Sequence, residues 1–238
     1  MRIRNPFRKK KRQSALQFIA SEEARQRHEL TDAEIRGRME RIDHDFRLAF
    51  KLLKGHPSTV SFFGSSVIPE TSEYYAHARK LSRMVVEQLG LTVVSGAGPG
   101  IMEAANRGAY EANGDSVGIA IQLPHEQDTN SYVTRSANFY YFFSRKMALT
   151  FTARAYVFFP GGYGTLDELF EILTLKKNGK IPSIPIVLVE SDFWNPLHHY
   201  LEKTVFEKTK AITKADMDLY VITDDLDEVL NIIAGKGI

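Results

Sequence analysis

The chain contains no cysteine among its 238 residues. That excludes disulfides, thiolate zinc sites, iron–sulfur clusters and a cysteine nucleophile, and makes a reducing compartment the simplest setting. Long apolar runs are also missing. The longest, Ala155 to Phe159 and Ile184 to Val189, fall far short of the roughly 20 residues a spanning helix needs. The stretch from Gln13 to Ala20 is too short and too polar for a secretory core. A cytoplasmic location is the expectation. Histidine is present but forms no ligand pattern: His198 and His199 are adjacent, His28, His44, His56, His77 and His125 are scattered, and no HExxH occurs, so no metal site is expected.

Charge is sparse in total and uneven in placement. Net charge is +2, but Arg2, Arg4, Arg8, Lys9, Lys10, Lys11 and Arg12 form an acid-free start, leaving 24 basic against 29 acidic residues, a balance of −5, in the rest. Such a tail could touch nucleic acid or an anionic surface, but a charge run of this kind is ordinarily a solvated terminus. No function is built on it.

What is present reads as alternating elements. Ile35, Met39, Ile42, Phe46, Ala49 and Leu53 recur at helical spacing within Ser21 to Lys54, predicting an amphipathic helix that ends at the breakers Gly55-His56-Pro57. Residues 1–57 are thus expected to be a basic tail and helical extension, and residues 58–238 the main domain. There, apolar runs at Thr59 to Phe63, Leu91 to Val94, Val117 to Ile121, Phe139 to Phe143, Ala155 to Phe159, Ile184 to Val189 and Leu219 to Ile222 predict strands. Helical patterns at Glu73 to Leu89, Gly100 to Glu111, Leu166 to Lys177 and Asn195 to Lys208 separate most of them. Continuous apolar strands alternating with helices predict an α/β fold: a Rossmann-like, doubly wound, mainly parallel sheet with helices on both faces.

In such sheets ligands sit beyond the carboxyl ends of the strands. The segments there are Gly64-Ser65-Ser66, Ser95 to Gly100, Ser144-Arg145-Lys146 and Pro160-Gly161-Gly162-Tyr163-Gly164-Thr165. The last is the most informative, because bare amides of Gly161, Gly162 and Gly164 at the start of a helix make an anion site to which Thr165 can add a hydroxyl. An inert glycine turn is the alternative. The segment Gly96 to Gly100 lacks the third glycine of a dinucleotide fingerprint and is no P-loop, so no nicotinamide or flavin cofactor is expected. Glu168 lies one helical turn after Thr165, and Arg145 and Lys146 enter the same crevice. An Arg145–Glu168 salt bridge without catalytic role is the bland alternative.

These residues carry a resemblance. Arg145-Lys146, followed by Pro160-Gly161-Gly162-Tyr163-Gly164-Thr165-Leu166-Asp167-Glu168, resembles the paired RK and PGGxGTxxE motifs of the LOG family, formerly labelled lysine decarboxylases. Gly64-Ser65-Ser66 and Gly98-Pro99-Gly100-Ile101-Met102-Glu103 look like its earlier glycine segments. The likeness spans roughly residues 58 to 190. The chain departs from small cytokinin-activating members in reading Gly100-Ile101-Met102-Glu103 where they carry Gly-Leu-Met-Gly, and in having the extension, as a longer bacterial branch does.

The resemblance implies a homodimeric hydrolase of the N-glycosidic bond of a purine nucleoside 5′-monophosphate, AMP or a modified AMP such as a cytokinin nucleotide. It implies Arg145 and Glu168 as the catalytic pair. Substrate binding falls to Gly64, Ser65, Ser66, Gly98, Gly100, Glu103, Lys146, Gly161, Gly162, Gly164 and Thr165, with no cofactor. A non-catalytic carrier or sensor of a nucleotide or phosphorylated cofactor is the competing class. The extension is expected to be dispensable for chemistry.

Overall fold

Local signals open and close the helices. In the computed structural model, which describes residues 30–122 and 129–236, helix α1 (Asp32–Leu53) begins at a capping box. Thr31 Oγ1 accepts from the Glu34 amide (3.3 Å), and Glu34 Oε2 accepts from the Thr31 amide (2.9 Å). Helix α2 (Glu73–Leu89) is capped by Ser72 and ends at Gly90, whose φ of 64° closes the last turn. The basic start, His28, His125 and the first part of the predicted helix from Ser21 lie outside the described residues.

Seven strands form one sheet: β1 (Thr59–Phe63), β2 (Thr92–Ser95), β3 (Ser116–Ile121), β4 (Arg135–Phe139), β5 (Ala153–Phe158), β6 (Ile186–Leu188) and β7 (Val221–Ile222). Their order is β4-β3-β2-β1-β5-β6-β7, and every neighbouring pair is parallel. The chain winds outward from β1 to β4, returns to the other side of β1 as β5, and winds outward again. The direction of winding reverses between β1 and β5, and a crevice opens there.

Strand alternation supplies two cores. Val60 and Phe62 of β1, with Ala155, Val157 and Phe159 on and after β5, face α2, α3 (Ile101–Glu111) and α8 (Leu226–Ile233). Phe63, Tyr156 and Phe158 face α4 (Phe142–Thr150), α5 (Tyr163–Lys177) and α6 (Ser191–Tyr200). Ala49 and Leu53 of α1 belong to this second core. Both sheet faces are covered, which is why the strands read as unbroken apolar runs.

Three expectations change. The run Phe139 to Phe143 is not a strand: β4 ends at Phe139, and α4 starts at Phe142. Aromatic content suggested a strand, but Ser144, Arg145, Ala148 and Leu149 are the buried set, at helical spacing. The edge strand β4 was hidden because only Ala137 and Phe139 of its five residues are buried. The predicted helix Asn195 to Lys208 is α6 followed by a π-helical turn, Leu201–Lys208. The chain divides into compact units between Glu40 and Arg41, and within the second unit Asp45, Ala49 and Leu53 are buried, the last two in the core beneath the sheet. α7 is the short helix Lys214–Met217.

Among the described residues no helix is long and apolar enough to cross a membrane, and no group of three or more His, Asp or Glu side chains is placed to hold a metal ion.

Candidate active site

Three loops are stitched together where the winding reverses. The Ser65 amide donates to Pro160 O (3.0 Å), and the Ile101 amide donates to Ser65 O (3.0 Å). This brings the segments after β1, β2 and β5 side by side. Gly100 makes the approach feasible: its φ is 70°, and a Cβ there would stand 2.3 Å from Ser65 O. Gly162 and Gly164 differ, since nothing lies within 4 Å of a Cβ at either. The fold does not need those two to be glycine. Their effect is to leave the start of α5 bare.

Gly162 is the N-cap of α5 and offers no side-chain cap. The amides of the first helical turn therefore point outward without a protein acceptor, joined by the dipole of a 15-residue helix. Thr165 is buried on that turn with its hydroxyl packed toward Gly161. The arrangement can hold a phosphate.

Arg145 comes from α4 and is only 8% exposed. Its Nε donates to Ile119 O (2.8 Å) in the second half of β3, and Nη1 lies 3.4 Å from Oε1 of Glu168. A Cβ on Gly96 would stand 2.1 Å from Nη2, so the missing side chain at Gly96 is what lets the guanidinium lie across the end of β2. Glu168 has a side chain 14% exposed. Burial pushes its carboxyl up to about 7, against the opposing pull of Arg145. Burial also pulls the Arg145 guanidinium down, and Glu168 partly restores it.

The other expected residues are distributed differently. Lys146 is turned to α5, 3.0 Å from Asp167 and 2.5 Å from Glu171. These partners hold its ammonium above its ordinary pKa, although burial alone would lower it. Glu103 accepts from Tyr75 OH (2.9 Å) in the seam between α2 and α3 and is not part of the Arg145–Glu168 pair. Gly64 packs against Ile101, Ser65 is the stitch between loops, and Ser66 follows it at the crevice. Beside Glu168, a cavity of about 380 Å³ runs between α4 and α5, walled by Phe63, Met147, Phe151, Ile172, Leu175 and Ile181.

A buried polar network escaped the sequence. Asn106 Oδ1 accepts from Ser95 Oγ (2.6 Å) and Asn130 Nδ2 (2.9 Å), and Asn106 Nδ2 donates to Ser116 Oγ (2.8 Å). Asn130 also donates to Gly98 O (3.1 Å) and, through its amide, to Ala97 O (2.9 Å). The network pins the glycine loop after β2. The one available signal was an asparagine in the otherwise apolar helical stripe Ile101, Ala104, Ala105, Ala109.

Comparison with known proteins gives the family and the fold. A family model described as possible lysine decarboxylase matches residues 102–233, more than half of the chain. A cytokinin riboside 5′-monophosphate phosphoribohydrolase of Rhodococcoides fascians is 25% identical over 178 residues, covering 72% of this chain and 86% of that one. A probable enzyme of the same name from Oryza sativa subsp. japonica is 31% identical over 152 residues, 61% of this chain and 59% of its own length. Among solved structures, the molybdenum cofactor carrier protein of Chlamydomonas reinhardtii superposes with a TM-score of 0.55 at 18% identity, over 76% of this chain and 97% of that one. The molybdenum cofactor binding protein of Rippkaea orientalis gives 0.54 at 19%, over 75% and 94%. These two share the fold.

Proposed function

The chain belongs to the LOG family, the one whose model is described as possible lysine decarboxylase, and on that footing we propose that it is a phosphoribohydrolase. Its substrate is a purine nucleoside 5′-monophosphate, AMP or an AMP modified on its base such as a cytokinin nucleotide, and its products are the free base and ribose 5-phosphate.

The observation that carries this reading is Glu168, a largely buried carboxyl titrating near 7 one helical turn beyond the bare amides of α5. A pure binder needs the amides but has no use for such a carboxyl. In the proposed reaction the 5′-phosphate sits on the first turn of α5, with Thr165 adding its hydroxyl. The bond from C1′ to the base breaks with its electron pair leaving on the base, and C1′ becomes oxocarbenium-like. Glu168 as carboxylate stabilises that charge and takes a proton from the attacking water, whose oxygen bonds to C1′. The base picks up a proton from solvent as it leaves and Glu168 returns the proton taken from water, so one water is consumed for each base released. Arg145, charged at any working pH, orients the substrate and offsets negative charge as the bond breaks.

A lysine decarboxylation would require a neutral lysine amine to hold pyridoxal phosphate. Lys146, beside the site, is paired with two carboxylates and does not fit that role. The homodimer implied by the family is part of the proposal; Phe142, Phe143 and Phe151 expose aromatic surface around α4 that a second copy would cover. So is a cytoplasmic location.

The test is to incubate the protein with a panel of nucleoside monophosphates and follow free base by chromatography. Base and ribose 5-phosphate in equal amounts support the hydrolase. Tight nucleotide retention with no base from any member of the panel overturns it in favour of a carrier.

A further inference from the structure

Helix α4, which delivers Arg145, starts without a cap of its own. Its N-cap Tyr141 is extended, with φ −107° and ψ 140°, and makes no side-chain cap bond. The entry to the helix is instead fastened by α1. Asp45 is 1% exposed, and its carboxylate accepts from the amides of Tyr140 (3.2 Å) and Tyr141 (3.1 Å) and from Ser144 Oγ (2.5 Å). A carboxylate buried this far persists only where its lone pairs are filled, and here they are filled by the entry to α4. Its negative charge also lies at the positive end of that helix. Ser144, whose hydroxyl Asp45 holds, is the residue before Arg145.

The same helix grips α4 elsewhere. The Arg41 guanidinium stacks over the Tyr140 ring at 5.0 Å. Phe50 meets Phe151 edge-on at 5.0 Å, just past the far end of α4, and Ala49 and Leu53 share a core with Ala148 and Leu149. We propose that Asp45 is a positioning residue for Arg145, and that residues 41–53 of α1, which the sequence places in a dispensable extension, are a working part of the active site. The phosphate-binding turn hangs from β5 and α5 and needs nothing from Asp45. This inference rests on the reading of Arg145 and Glu168 as the groups that turn substrate over.

The separation of Arg145 from the phosphate turn gives the test its form. Asp45→Asn and Ser144→Ala are made in the full chain, and kcat and KM are measured on AMP, or on whichever monophosphate of the panel releases most base. The Glu168 carboxyl is titrated by carbon NMR, its resonance assigned by difference with Glu168→Gln. Glu168 faces Arg145 and Lys146 of α4 and Asp167 and Glu171 of its own helix, and Arg145 lowers its pKa, so loosening Arg145 moves the titration to higher pH.

For Asp45→Asn the expected result is a fall in kcat of about ten- to a hundredfold, the scale set by small misplacements of a catalytic group, with KM little changed and the Glu168 midpoint raised. Ser144→Ala, which removes one of the donors to Asp45, shifts both in the same direction by less. A folded Asp45→Asn protein with native kcat and an unmoved Glu168 midpoint overturns the proposal, as loss of thermal stability alone is what a merely structural contact would produce. Should Asp45→Asn fail to fold, Ser144→Ala decides by the same two readouts. If the native protein releases no base at all, the hydrolase reading fails separately, and the titration still tells whether Asp45 sets the position of Arg145.

Discussion

Nη1 of Arg145 stands 3.4 Å from Oε1 of Glu168, longer than the 2.7–2.9 Å of a strong charge-assisted pair. The two groups are close enough to feel each other and too far apart to neutralise each other fully. Burial therefore wins at Glu168, whose carboxyl rises from its ordinary 4.5 to about 7. A structural salt bridge would be expected to pull that value down.

Replacing Glu168 by Gln is expected to lower base release by about 10²- to 10⁴-fold, the usual worth of a positioned acid–base group. The amide keeps the shape, so nucleotide binding measured by calorimetry should survive. Retained turnover would remove Glu168 from the mechanism.

The raised pKa of Glu168 predicts two opposite pH responses. In the proposed reaction Glu168 acts as the carboxylate, so kcat/KM should rise with pH through a midpoint of about 7. Stability runs the other way. The folded state favours the neutral carboxyl, so this contribution is complete below about 4.5 and is lost as pH climbs through about 7, on the order of 3 kcal/mol in all. Thermal melts of wild type and Glu168→Gln from pH 5 to 8 should therefore diverge, the variant gaining relative stability toward pH 8. Parallel curves would contradict the assignment.

Gly164 and Gly100 should respond oppositely to alanine. Gly164 is in the first turn of α5 with open space around it, so Gly164→Ala should be neutral or stabilising by up to about 1 kcal/mol while raising KM for the monophosphate. At Gly100 the positive φ and the clash with Ser65 O should cost roughly 1–3 kcal/mol. Denaturant melts alongside KM measurements distinguish the two roles. Equal effects at both would mean that Gly164 is structural.

Removing the phosphate from the substrate tests the turn directly. Adenosine in place of AMP should show little or no base release, because the amides of α5 then lack the anion that sets the ribose beside Glu168. Comparable rates on nucleoside and nucleotide would place the phosphate elsewhere.

Asn106→Ala should destabilise the fold by about 1–3 kcal/mol, the cost of leaving buried polar groups unpaired. It strands Ser95, Ser116 and Asn130 together. A melt within error of wild type would show that water replaces the amide.

The sequence by itself determined the layered architecture, because strands covered on both faces must be apolar throughout, and runs such as Ala155 to Phe159 have no other stable use. It also placed Gly161, Gly162 and Gly164 at the start of a helix with Glu168 one turn on from Thr165, since glycines at a helix start and a carboxyl three residues on are local facts of spacing. Tertiary structure decided what depends on residues far apart in the chain. The aromatic run at Phe139 to Phe143 has the composition of a strand, yet its second half starts a helix because the buried face of α4 is set by Ser144, Arg145, Ala148 and Leu149. Lys146 was expected to enter the crevice with Arg145, and its pairing with Asp167 and Glu171 is something only the packing of α4 on α5 could specify. Asp45, 99 residues before Ser144 in sequence, had no local signal at all: on α1 it is one more charged residue, and burial against the uncapped end of α4 is what gives it a role.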